Sequence, residues 1–123
     1  MIIVFPWPPS ELRPNASSPG NWWNKSKAAK SYKADCITVC KAAKVKQFKI
    51  DPLRPPFVTL AFMFCPPDRR KRDLDGMLSS VKQLIDAISE EIDIDDAWFE
   101  LTLKRGLPVK HGQVQVTLKG GIA

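Results

Sequence analysis

Residues 57–75, FVTLAFMFCPPDRRKRDLD, contain the features that decide the fold of this chain. Residues 57–64 place apolar side chains on both faces of an extended strand, which is typical of a strand in the middle of a sheet covered on both sides. Residues 65–67 end that strand, because proline cannot donate a hydrogen bond to a sheet ladder. The chain then passes directly into a charged octapeptide, residues 68–75.

The octapeptide, DRRKRDLD, sets four consecutive cations against two carboxylates, Asp73 and Asp75. The cations attract a polyanion, whereas two close carboxylates repel it unless a divalent ion lies between them and the phosphate. This combination predicts a metal-dependent enzyme acting on nucleic acid phosphodiesters. The alternative is a solvated charge run, paired with itself, at the start of a helix.

Length and charge fit this interpretation without requiring it. The chain has 123 residues, the size of one domain, so we expect a single domain over residues 1–123. Its 19 Lys and Arg against 13 Asp and Glu give a formal charge of +6 and a pI near 9.4. A protein of this charge attracts polyanions at long range.

The three cysteines predict a reducing compartment, because their odd number does not make a disulfide framework. Cys36, Cys40, Cys65 and His111 could supply four zinc ligands, but Cys36 and Cys40 lie inside a helical pattern, so we expect buried thiols instead. The apolar start, residues 1–5, is too short for a signal peptide, and no apolar run could span a bilayer. We therefore expect a cytoplasmic protein.

On the amino-terminal side of the octapeptide we expect a strand at residues 2–5, a loop at residues 10–24 and a helix at residues 25–46. The loop contains Trp22 and Trp23, for which packing and a ligand contact are both open interpretations. One apolar stripe on the helix includes Tyr32, Cys36 and Cys40, and lysines cover the remainder. Such lysines are usually solvated, but beside an aromatic loop they also suit a phosphate-tracking surface.

On the carboxyl-terminal side, residues 74–88 have the spacing of an amphipathic helix with Asp73 as its N-cap. Residues 98–104 and 113–119 alternate as two half-exposed strands, joined by a loop at residues 107–112. The predicted order is β-α-β-α-β-β. It implies an α+β fold in which two main helices pack on one mixed sheet.

A second acidic cluster, Asp93, Asp95 and Asp96, opens the strand that follows this helix. Its approach to Asp73 and Asp75 requires that this strand run antiparallel to residues 57–64, or that the intervening loop fold back. If the acids meet, they form the three-carboxylate site typical of magnesium-dependent phosphodiester hydrolysis.

Three segments together resemble the RusA family of Holliday-junction resolvases, in a phage or prophage branch. They are FPWPPS at residues 5–10, PPDRRKRDLD at residues 66–75 and IDD at residues 94–96. SELRPN at residues 10–15, with Trp22, Trp23 and the lysine-rich helix, also looks like that branch. The resemblance covers nearly the whole chain in the same order.

The resemblance implies a homodimeric, Mg²⁺-dependent endonuclease that nicks two opposing strands of a four-way DNA junction. It implies Asp73, Asp75 and Asp96 as metal ligands, with Asp95 beside them. The family's Asn and catalytic lysine are replaced here by Gly76 and Ser79. Lys82, one helical turn beyond Ser79, is a candidate substitute, and so are Lys71 and Arg72.

The basic segments are the predicted DNA contacts. They comprise Asn15, Trp22, Trp23, Lys27, Lys30, Lys33, Arg69, Arg70, Lys71 and Arg72. Two rival hypotheses remain open. One is a junction-binding protein of the same fold that lacks cleavage activity, and the other is an RNA-binding module that stacks bases on Trp22, Trp23 and Tyr32.

Overall fold

The computed structural model describes residues 1–14, 22–48 and 58–120. Within them the chain forms β1 (Ile2–Pro6), α1 (Trp22–Ala42), β2 (Val58–Cys65), α2 (Leu74–Ser80), α3 (Lys82–Ile92), β3 (Phe99–Arg105) and β4 (Gln113–Gly120). Short 3₁₀ turns lie at Ser10–Leu12, Val45–Gln47 and Asp96–Trp98. Residues 49–57, which include the proline-rich stretch at residues 51–56, lie outside the described residues.

The four strands form one mixed sheet in the order β1-β4-β2-β3, so the α+β prediction is confirmed. β4 pairs antiparallel with both β1 and β2, whereas β2 and β3 run parallel. β2 has a neighbour on each side, as its apolar composition predicts. β3 and β1 are the two edges of the sheet.

Within the described residues the helices lie on one face of the sheet, which differs from the expectation that the strand at residues 57–64 is covered on both sides. Val58, Leu60, Phe62 and Phe64 of β2 are buried against the helical layer. The alternate residues of β2 at positions 59, 61 and 63 are only half-buried. The apolar residues of this second face therefore do not indicate a second helical layer within the described residues.

Helix α1 begins at Trp22, three residues earlier than the sequence predicts, so Trp22 and Trp23 belong to its first turn rather than to a loop. The predicted apolar stripe is buried. Tyr32 donates a hydrogen bond from Oη to the carbonyl oxygen of Pro6 at 2.8 Å, which ties α1 to the end of β1. Cys36 and Cys40 are fully buried free thiols, as expected.

The helix predicted after Asp73 is divided at Val81 into α2 and α3. The N–H of Val81 donates to the Leu78 carbonyl, an i→i−3 bond instead of the regular i→i−4 helical one, and α3 begins at the next residue. The side chain of Val81 is fully buried, and Ser80 Oγ donates to the Gly76 carbonyl at 2.9 Å. The sequence pattern predicts one continuous helix, whereas the structure divides it at the buried Val81.

The loop before β4 turns through two residues with positive φ, His111 and Gly112. A Cβ on Gly112 would lie 2.8 Å from the Cβ of Trp7, so a larger residue does not fit there. This close approach fixes Trp7 next to the end of β2. No helix in the described ranges is long and apolar enough to cross a membrane.

Candidate nucleic-acid interface

A cleft of about 560 Å³ lies where the segment after β1 faces the octapeptide after β2. Proline-rich segments form both walls, because each strand ends at prolines that cannot extend the sheet. The cleft is lined by Trp7, Pro8, Ser10, Arg13, Pro14, Phe64, Pro67, Arg70, Lys71, Arg72, Asp73, Gly76, Met77 and Ser80. Cations therefore outnumber the single carboxylate, that of Asp73.

Arg72 is the anchor of this region rather than a free cation. Its Nη1 donates to Asp68 Oδ1 at 2.8 Å, and its guanidinium lies 5.6 Å from the centre of the Trp7 ring. Its own carbonyl accepts a 2.6 Å hydrogen bond from Nη1 of Arg105. These bonds hold Arg72 in place with 19% of its side chain exposed, so the self-paired interpretation is right for this one cation.

The other three cations of the run are much less constrained. Arg69, Arg70 and Lys71 are exposed, and Arg70 has only a 3.8 Å ion pair with Asp68 at 76% exposure. The hydrogen bond from Arg72, followed by that from the backbone of Arg70, lowers the pKa of Asp68 from its ordinary value. Asp68 thus stays ionised and neutralises Arg72, while Arg70 and Lys71 project into the cleft.

Asp73 occupies the predicted N-cap position of α2, but its carboxylate makes no capping hydrogen bond. The expectation that Asp73 serves as an N-cap is thus correct for its position and wrong for its side chain. Asp75 follows in the first turn, is exposed, and accepts from the N–H of Gly76 at 3.0 Å. The Asp73 carboxylate lines the cleft with its oxygens available to a ligand.

Asp96 lies at the opposite end of the sheet from Asp73. β2 and β3 run parallel, so Val58 at the start of β2 pairs with Phe99, three residues after Asp96. Asp73 follows the far end of β2, whose eight residues extend over roughly 23 Å at about 3.3 Å per residue. Within residues 1–14, 22–48 and 58–120, no three acidic, histidine or cysteine side chains lie close enough to hold one metal ion.

Asp96 belongs instead to a shallow acidic surface between α3 and the start of β3. Asp86, Glu90, Asp93 and Asp95 share it. Asp95 Oδ1 accepts from the N–H of Ala97 at 2.8 Å and so caps the short turn before β3. Asp95 and Asp96 thus lie together before β3, but within one chain they do not approach Asp73 and Asp75 of the octapeptide.

The predicted DNA contacts on α1 divide into two groups. Lys27 and Lys30 are exposed, whereas Lys33 forms an ion pair with Glu90 of α3, and this hydrogen bond raises the pKa of Lys33. Trp23 is 64% exposed, while Tyr32 is buried and cannot stack on a base. Asn15 and the side chain of Trp22 lie outside the described residues.

Lys82 is exposed as the first residue of α3 and is not among the residues that line the cleft. Ser79 is also exposed, and a Cβ added to Gly76 would meet no atom within 4 Å. The space around Gly76 therefore accepts a side chain such as the Asn that the resemblance implies. Among the cations that line the cleft, Arg70 and Lys71 are exposed, whereas Arg13 donates from Nε to the Ser10 carbonyl at 3.2 Å.

Sequence reasoning missed Trp7 and Arg13 as parts of this site. Trp7 stands between prolines in PWPP, and Arg13 precedes another proline in RPN, so each lies in a segment that cannot join a regular element. An aromatic or cationic side chain fixed by flanking prolines is the signal that could have found them.

No protein-family model matches the chain, and no curated protein is significantly similar to it in sequence.

Proposed function

We propose that the chain is a Mg²⁺-dependent endodeoxyribonuclease that binds four-way DNA junctions and nicks opposing strands as a homodimer. The proposal rests on the resemblance to the RusA resolvases together with the cleft after β2. The observation that carries it is the uncapped carboxylate of Asp73 beside the exposed cations Arg70 and Lys71.

The cations of the cleft suit a phosphodiester of the DNA backbone. Arg13, Arg70 and Lys71 attract the phosphate, because all three line the cleft and carry N–H donors suited to phosphate oxygens. They also offset negative charge that develops on the phosphate as a nucleophile adds. Arg72 and Asp68 keep the walls of the cleft in place.

The carboxylates of Asp73 and Asp75 fit Mg²⁺, which commonly takes one or two carboxylates together with substrate phosphate and water. When bound there, the ion supplies a more acidic water and polarises the scissile phosphate. Asp73 is the stronger candidate for a metal ligand than Asp75, since its carboxylate makes no capping hydrogen bond and lines the cleft. Asp96 can reach the same ion only if a second copy of the chain supplies it, because one chain keeps the two ends of β2 apart.

Nicking of a synthetic four-way junction in Mg²⁺, with a linear duplex of the same sequence as control, tests the proposal. Asp73→Asn, Asp75→Asn and Asp96→Asn should each abolish nicking while junction affinity is kept or slightly raised, because a charge that repels phosphate is lost. Asp35→Asn, a change of an exposed carboxylate on α1, is the matched control and should cut normally. Full activity in all three site variants would exclude the metallonuclease.

A mixture of the inactive Asp73→Asn and Asp96→Asn proteins tests whether two copies share a site. If Asp96 acts across a dimer, mixed dimers contain one intact site and recover nicking of single strands. If mixing restores no cleavage while each parent is inactive, both residues act within one chain or Asp96 acts elsewhere.

The second candidate is a junction-binding protein of the same fold that does not cut DNA. Two observations favour it, namely the separation of Asp96 from Asp73 within one chain and Ser79 at the family's lysine position. It predicts selective junction binding with no nicked product in the presence or absence of Mg²⁺. Any Mg²⁺-dependent nicking that Asp73→Asn removes excludes it.

A further inference from the structure

The loop between β3 and β4, residues 106–112, carries a large apolar side chain that projects into solvent. Leu107 is 85% exposed, more than any other large apolar side chain in the described part of the chain. A single exposed leucine is common on protein surfaces, so its exposure alone assigns no role to it. What distinguishes Leu107 is the way in which its loop is held.

Backbone hydrogen bonds fasten this loop to the exit of β2. The N–H of Gly106 donates to the Phe64 carbonyl at 2.8 Å. The N–H of Val109 donates to the Pro66 carbonyl at 3.0 Å. Leu107 lies between the two bonded residues, so its backbone is held while its side chain stays in solvent. A side chain on a backbone that is already ordered has less conformational freedom to lose when it contacts a ligand.

Both ends of the loop touch the walls of the cleft described above. At the first end, Arg105 Nη1 donates to the Arg72 carbonyl at 2.6 Å, so the last residue of β3 reaches the octapeptide. At the second end, a Cβ on Gly112 would lie 2.8 Å from the Cβ of Trp7 and 3.0 Å from Cδ of Pro67. The loop therefore stands beside the surface that would bind a DNA phosphate in the proposed function.

The charge of this region is complementary to nucleic acid. No acidic residue follows Glu100 in the chain, whereas the exposed cations Lys104, Arg105 and Lys110 flank the loop tip in sequence. Cations of this kind bind backbone phosphates. Leucine is one of the side chains that DNA-binding proteins insert as a wedge between base steps. An exposed leucine among cations thus combines the two kinds of contact.

A four-way junction offers base faces that a continuous duplex lacks. In a duplex each base pair is stacked on both faces, and parting a base step costs free energy. When the arms of a junction are spread apart, a base pair at the branch point has a stacked neighbour on one face only. An apolar side chain reaches the other face at a smaller cost. A wedge beside a cationic cleft therefore gains more from a junction than from a duplex.

We propose that Leu107 is a wedge that occupies the branch point of the bound DNA and contacts the open face of a base there. In this role the β3–β4 loop, which carries no metal ligand, supplies selectivity for junctions over linear duplex. The inference rests on the junction binding of the proposed function and is independent of whether the protein cuts DNA.

Fluorescence anisotropy without divalent metal tests the wedge separately from cleavage. Leu107→Ser should lower the affinity for a labelled four-way junction by about tenfold and leave that for a linear duplex unchanged, because only the junction gains from the wedge. Leu107→Met keeps an apolar side chain and should bind the junction as the parent protein does. The matched control is Ile2→Ser, since Ile2 is 64% exposed at the end of β1 away from the cleft, and it should change neither affinity.

A junction with 2-aminopurine next to the branch point gives a second measurement, because the emission of this base rises when it loses a stacked neighbour. The parent protein should raise the emission and Leu107→Ser should not. Equal junction affinities of the parent and Leu107→Ser, a parent protein without junction selectivity, or the same emission with both would each overturn the wedge. Normal nicking by Leu107→Ser with unchanged selectivity would overturn the wedge and leave the proposed nuclease standing. Selectivity and emission that depend on Leu107, in a protein that nicks no junction, would retain the wedge and exclude the nuclease.

Discussion

Gly76 and Gly106 differ in what a methyl group would meet. A Cβ on Gly76 has no neighbour within 4 Å, whereas one on Gly106 would lie 2.6 Å from Cys65 Sγ and 3.0 Å from Met63 Cγ. Gly76→Ala should therefore raise the free energy of unfolding by about 0.5–1 kcal/mol, since glycine is costly within a helix. Gly106→Ala should lower it by about 1–3 kcal/mol through overpacking. Urea denaturation measures both, and changes of the same sign would contradict the two environments.

Arg72 and Arg69 are close in sequence, but their alanine variants should change different properties, thermal stability for Arg72 and the salt dependence of DNA binding for Arg69. Arg72→Ala removes the bond to Asp68 and the contact with Trp7, so it should lower the thermal unfolding midpoint. Arg69→Ala changes an exposed side chain and should leave the midpoint unchanged. It should instead reduce the slope of log affinity against log salt by about 0.9 if Arg69 contacts one phosphate. An unaffected slope would place the DNA path away from Arg69.

In the proposed nuclease, the cation that stabilises the transition state should come from the octapeptide rather than from α3. Lys71 lines the cleft, whereas Lys82 does not. Lys71→Ala should lower the cleavage rate by about a hundredfold with a smaller effect on binding, because the loss falls on the transition state. Single-turnover kinetics of Lys71→Ala and Lys82→Ala compare the two. A larger loss in Lys82→Ala would assign the role to the residue that the sequence favours.

Helix α1 offers a comparison between lysines of the same basic face. Lys33 is paired with Glu90 of α3, while Lys30 is exposed without such an ion pair. Lys30→Ala should weaken junction binding, and Lys33→Ala should change it less while loosening the contact between α1 and α3. Fluorescence anisotropy with a labelled junction measures affinity, and thermal unfolding measures the helix contact. Equal losses of affinity in Lys30→Ala and Lys33→Ala would show that the ion pair with Glu90 does not prevent Lys33 from contacting DNA.

Elements with a clear hydrophobic period were predictable from sequence, and their ends were less so. β2 was recognised as an interior strand because alternate positions are apolar on both faces, yet no helix of the described part of the chain covers the second face. Apolar composition indicates that a strand face is buried, but it does not indicate which element covers that face. The division at Val81 was missed because a buried valine fits a helical stripe equally well on either side of a break.

At the level of the whole molecule, half of the candidate site could be predicted. The octapeptide is contiguous, so the closeness of Asp73 and the basic run follows from chain connectivity alone. The position of Asp96 depends on the direction of β3 relative to β2, and these two strands run parallel, with α2 and α3 in the connection between them. The sequence left open both an antiparallel β3 and a loop that folds back, and β3 proves to be parallel to β2.

The pairing of β1 with β4 has a consequence for the order in which the chain folds during synthesis. β4 lies between β1 and β2 in the sheet, and Leu118 N donates to the Met1 carbonyl at 2.7 Å. Until residue 120 leaves the ribosome, β1 has no partner and one edge of the apolar strand β2 stays open. Nascent chains arrested before β4 should therefore need a chaperone to remain soluble. Their release after residue 120 should close the sheet in a single late step.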